Sequence, residues 1–187
     1  MAERKISTRF AVEGEDQYKK SVADINIRLK TLKSELALVQ SQYAGQENSM
    51  EALTAKGQTL AAMYAAQQEK VQTAQAALQN AAAAQSQYAA QVAESQAKLQ
   101  AAQQAMDEMD QAADSDAYAQ LSEQVAQYQQ ELSKAEQLQR AAEWGMQNWQ
   151  QSVNYAQRDL NQLSAESENN NTALESAQEA ADAASAC

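Results

Sequence analysis

A single heptad register runs from Met50 to Met109, and few folds can accommodate it. One seam position takes Met50, Gly57, Tyr64, Val71, Leu78, Gln85, Val92, Leu99 and Met106. The other takes Leu53, Leu60, Gln67, Ala74, Ala81, Tyr88, Ser95, Ala102 and Met109. Most of these residues are apolar or small. A 3,4 spacing kept up over so many turns marks an α-helix that buries one narrow stripe against another helix. The chain has no proline and only four glycines in 187 residues, so little interrupts such a helix. Aromatic residues make up 5%, too few for a thick globular core but enough for a thin bundle.

The flanking segments repeat the pattern. Val22, Ile25, Leu29, Leu32, Leu36, Val39 and Tyr43 form a faultless seam, which predicts a first helix over 15–44. Ala44-Gly45 reads as its stop, with Gly45 left-handed. Asn48 and Glu51 read as a capping box opening a second helix over 48–110. Residues 110–116 (DQAADSD) lose the apolar seam and carry capping types, which predicts a turn. A third helix over 117–168 carries Leu121, Tyr128, Ala135, Ala142, Trp149, Ala156 and Leu163 on one row. Val125, Leu132, Gln139, Met146, Val153 and Leu160 lie on the other. ENNNT at 168–172 reads as an interruption, leaving 169–187 as a weakly helical or disordered tail.

At the other end, residues 4–12 alternate. Ile6, Thr8, Phe10 and Val12 share one face, which is the period of a strand, and Gly14 ends it. An unpaired strand needs a partner, so residues 1–14 are expected to dock elsewhere through Ile6, Phe10 and Val12. The fold expected is all-α: a long antiparallel coiled-coil hairpin, a shorter first helix packed at its base, and a short N-terminal strand. Folding at 110–116 opposes residues whose numbers sum to about 227 under heptad pairing. Trp144 and Trp149 would then face the small residues of AQAALQNAAAA at 74–84. The core seam is expected to include Leu29, Leu36, Val71, Leu78, Val92, Leu99, Tyr128, Leu132, Trp149 and Leu160.

Chemistry is sparse. With no histidine there is no His-based triad and no histidine zinc site. Cys187 stands alone, so it closes no internal disulfide and has no histidine to activate it. The acids Asp107, Glu108, Asp110, Asp114 and Asp116 lack the spacing and central glycine of an oxygen-ligand loop, and read as solvated helix-end charges. There is no glycine-rich phosphate loop. No catalytic residue, cofactor or metal is expected, and the chain is not read as an enzyme. The formal net charge of −11 is uneven: residues 1–33 hold eight of the fourteen Lys and Arg and are +3. The acidic remainder repels nucleic-acid phosphates and anionic membranes. No apolar run reaches the ~18–20 residues of a membrane span.

The opening KISTRFAVEGEDQYKKSVADIN, followed by LKTLKSELALVQSQYAGQENSMEALTAKGQTL, resembles the N-terminal region of phage tail tape-measure proteins of the Gram-positive phage and prophage type. QNWQQSVNYAQRDLNQL is similar to the helix that follows a WQ pair in that family. The likeness spans about residues 4–180 and is most specific over 4–62. It implies a rod-like structural protein in the tail-tube lumen that templates tube assembly and sets tail length. It also implies tail-tube and tail-assembly partners, self-association, and passage from the bacterial host cytoplasm into the virion. Family members are usually several times longer, so an N-terminal fragment or shortened copy is expected. The other readings are a generic bacterial coiled-coil scaffold with no phage role and a lipid-surface helix protein. Against the latter stand the acidic body and the Ala/Gln faces.

Overall fold

The computed structural model describes residues 14–109 and 115–185, and these form three helices: α1 (Glu15–Gln42), α2 (Met50–Glu108) and α3 (Ser115–Ser185). The all-α expectation holds, and no strand occurs among the described residues. The strand expected over 4–12, with Ile6, Phe10 and Val12, lies outside the described residues. So do residues 110–114 of the expected turn, and Cys187.

Local chemistry sets the helix ends. Gly14 precedes α1 with φ 84°, a left-handed conformation that glycine adopts without a Cβ penalty. Its carbonyl accepts the first turn's amides from Gln17 and Tyr18 at 3.1 and 3.2 Å. Gly45, also at φ 84°, turns the chain after α1. The Glu47 carboxylate accepts its N–H at 2.8 Å. That bond, with a second from the Glu47 amide itself, lowers the Glu47 pKa. The cap of α2 is Ser49, whose Oγ accepts the Ala52 amide at 3.2 Å, and the helix starts at Met50. This corrects the expected Asn48 cap: the serine hydroxyl sits three residues before the amide it satisfies.

The largest correction concerns α3. Ser115 and Asp116, assigned to the turn, are helical, and the helix passes without interruption through ENNNT at 168–172 to Ser185. Asparagine costs helix about 0.5–0.7 kcal/mol relative to alanine, which tertiary contacts readily offset. The buried Asn170 supplies one. Thr172 and Ser176 turn their hydroxyls back onto the carbonyls of Glu168 and Thr172, which keeps those groups satisfied within the helix.

Contacts divide the chain into two units. One comprises Gly14–Ala77 with Gln150–Cys187. Here α1 lays Ile25, Leu29 and Leu32 against Ala66, and Leu32 and Leu36 reach a cluster of Leu60, Met63 and Leu163. Val71 packs with Ala156, Leu160 and Tyr64. It is a three-helix section in which each helix buries one stripe. The other unit includes Leu78–Trp149, where the later part of α2 pairs with the earlier part of α3. Apart from Trp149 its buried side chains are small: Ala81, Ser95, Ala102, Ala135 and Ala142.

Candidate functional site

In the three-helix unit two buried amides cross from one helix to the backbone of another. Gln67, 2% exposed on α2, donates through Nε2 to the Ala156 carbonyl of α3 at 2.8 Å. Asn170, 3% exposed on α3, donates through Nδ2 to the Leu53 carbonyl of α2 at 2.9 Å. A helical carbonyl keeps a second lone pair after accepting its own helix bond, so both acceptors can take the extra donor. The two contacts run in opposite directions and share one register: the paired residue numbers sum to 223 in each. Leu60 and Leu163, which share that sum, lie in one cluster. In this unit α2 and α3 are therefore antiparallel. Gly57 faces Asn170, and Val71 shares a cluster with Ala156, so side chains meet at the expected sum of about 227 while each amide reaches a carbonyl one turn along. The two amides mark this register alongside the Leu60–Leu163 cluster.

Gly57 admits Asn170. A Cβ at that position would lie 3.1 Å from the Asn170 Nδ2, closer than most real contacts. The other half of the Asn170 amide is unmet, because Oδ1 is buried with no hydrogen-bond partner. The contact thus combines a good bond with a desolvated acceptor, an arrangement that costs stability while fixing alignment.

Each residue expected on the core seam is covered. Leu29, Val71, Trp149 and Leu160 are buried, while Leu36, Leu78, Val92, Leu99, Tyr128 and Leu132 are half-buried. Trp144 departs from expectation: it is 66% exposed and does not take part in packing against small residues of α2. It lies two residues from both Ala142 and Met146, about 200° around the helix from each, so it points away from the seam. Asn170 was missed although it stands seven residues after Leu163 on the same row, because a run of asparagines reads as a helix breaker.

Charge is peripheral. In the second unit Lys98 pairs with Glu94 at 2.6 Å. The hydrogen bond from Lys98 and its positive charge hold the Glu94 carboxyl below its ordinary pKa. Glu94 raises Lys98 in return, with smaller contributions from Glu131 and Tyr128 on α3. In the three-helix unit Arg28 of α1 pairs with Glu69 of α2, both half exposed. Among the described residues no group of three or more His, Cys, Asp or Glu could hold a metal ion. No helix among them is long and apolar enough to cross a membrane. What the geometry offers is helix-to-helix alignment. No family model, curated protein or solved structure matches the chain.

Proposed function

We propose that this chain is a structural coiled-coil protein of a phage tail, equivalent to the N-terminal part of a tape-measure protein that templates tail-tube assembly and length. The observation that carries this reading is the length and heptad order of the helices. Helices of 59 and 71 residues follow one another, covered residues recur at heptad spacing, and the buried polar groups serve alignment. A continuous helix converts residue number into distance at about 1.5 Å per residue, which is what a ruler requires. The resemblance of residues 4–62 supplies the biological setting. The partners are tail-tube and tail-assembly proteins and further copies of the chain. The places are the bacterial host cytoplasm during assembly and then the tail lumen.

The free form in this proposal is a long antiparallel coiled-coil hairpin with α1 at its base. The shared register of the Gln67 and Asn170 contacts supports it. The segment 1–14, with Ile6, Phe10 and Val12, docks on a partner. The direct test is mass spectrometry of purified tail particles from induced cultures of the source strain. A hairpin spans only half of what its residues could, so in the tail α2 and α3 open into one rod; the chain is expected in the particles, and shortening its helices by whole heptads is expected to shorten tails by about 1.5 Å per residue removed. Particles that lack the chain, or tails of unchanged length, reject this reading in favour of a cellular coiled-coil scaffold.

A further inference from the structure

We infer that the outer face of α1 is a self-association surface, on which a second copy of this chain docks its own α1 antiparallel. The inference is independent of any role in a tail. While Ile25, Leu29, Leu32 and Leu36 face the core, Ile27 and Leu38 are 66% and 58% exposed on the opposite side. They belong to a second seam, Ile27, Thr31, Ser34 and Leu38, spaced 4, 3, 4. All four residues are exposed. The two small polar residues between the apolar ends are already satisfied. Thr31 Oγ1 donates to the Ile27 carbonyl at 3.3 Å and Ser34 Oγ to the Lys30 carbonyl at 3.2 Å. Burying this face therefore strands neither hydroxyl donor, and the small side chains let a second helix approach closely.

The face is self-complementary under a two-fold axis. Antiparallel pairing sets Ile27 against Leu38 of the second copy and Thr31 against Ser34, each twice, as an isologous interface requires. In the same register Arg28 flanks Glu35 of the second copy on both sides of the axis, two opposite-charge contacts. Arg28 already meets Glu69 within its own chain, and its five donors allow it to serve both carboxylates. Parallel pairing would instead bring Asp24 of both copies together on the seam, a like-charge contact. Asp24 meets Ser41 in the antiparallel form. With two large apolar residues per copy, the interface falls at the small end of specific interfaces. It is expected to be a weak, reversible association, with a dissociation constant on the micromolar-to-millimolar scale.

The test uses the full chain with Cys187→Ser, followed by sedimentation velocity over a concentration range spanning that constant. A monomer–dimer equilibrium is expected, and Ile27→Glu with Leu38→Glu should abolish it while circular dichroism shows unchanged helicity, since both positions are exposed. Orientation is read by disulfide trapping. Thr31→Cys chains mixed with Ser34→Cys chains should cross-link to each other in preference to themselves. A chain that stays monomeric throughout, a double-glutamate variant that associates like the parent, or self-linking in preference to mixed linking would each overturn the proposal.

Discussion

Gln67 and Asn170 make the same kind of contact at equal burial, yet truncating them should have different consequences. Gln67→Ala removes a buried bond worth about 1 kcal/mol net and all of the side chain beyond Cβ from a packed seam, for a total loss of about 2–4 kcal/mol. Asn170→Ala also removes a bond worth about 1 kcal/mol, but it releases a buried Oδ1 that has no partner. Desolvation of such an acceptor costs about 1–3 kcal/mol, so the two effects nearly cancel and stability should stay within about 1 kcal/mol of the parent. Asn170→Leu should stabilise by about 1–2 kcal/mol, because it adds apolar burial once the new methyl retreats slightly from the Leu53 carbonyl. The assay is native-state hydrogen exchange of the amides over Leu60–Val71, which isolates the three-helix unit, with urea unfolding followed by circular dichroism as support. An Asn170→Ala loss above about 2 kcal/mol, matching Gln67→Ala, would mean that Oδ1 has a partner in solution and that the reasoning is wrong.

Gly57→Ala should change stability by less than about 0.5 kcal/mol in the parent, where helix propensity gained is spent on displacing Asn170. In an Asn170→Ala background it should stabilise by up to about 1 kcal/mol, measured by the same exchange experiment. Trp149→Ala should cost about 3–5 kcal/mol and remove the blue-shifted component of the fluorescence. Trp144→Ala should stay within about 0.5 kcal/mol and remove the component quenched by iodide. Glu94 binds its proton more weakly when folded, so its pairing with Lys98 contributes above the ordinary glutamate pKa of 4.5 and is lost as pH falls through the lowered folded value. An NMR titration should show the Glu94 midpoint rising in Lys98→Gln; an unmoved midpoint would remove the pair as the cause.

The helices and their buried stripes were legible because burying one side of a helix forces 3,4 spacing on the sequence, whatever the partner. That spacing located the covered face of α1 from Val22 to Tyr43, and both rows of α2, including polar members such as Gln67 and Ser95. What was not legible has a common cause. Periodicity reports which face is covered, not what covers it. It could not separate Ser49 from Asn48 as the cap, because both types accept amide bonds and the choice depends on where the helix's first turn closes. It set Trp144 against the small residues at 74–84 together with Trp149, although two residues from Ala142 and from Met146 is the far side of the helix. It also read ENNNT as a break, because asparagine's local preference opposes helix and the compensating contact lies 117 residues away.

That contact shows how a seam of this composition acquires a unique alignment. Apolar rows repeated at every heptad lose only part of their burial when one helix slides by seven residues past another. A buried amide does not slide so freely: moving it one heptad puts Nδ2 of Asn170 opposite a residue other than Gly57, where a Cβ would meet it. Gln67 imposes the same register 14 residues away, in the reverse direction. A slip must break both bonds at once and leave both amides desolvated, a penalty of several kcal/mol when each unmet polar group costs about 1–3. The polar residues that weaken the core are thus the ones that define its register, and the orphaned Oδ1 of Asn170 is the stability given up for that definition.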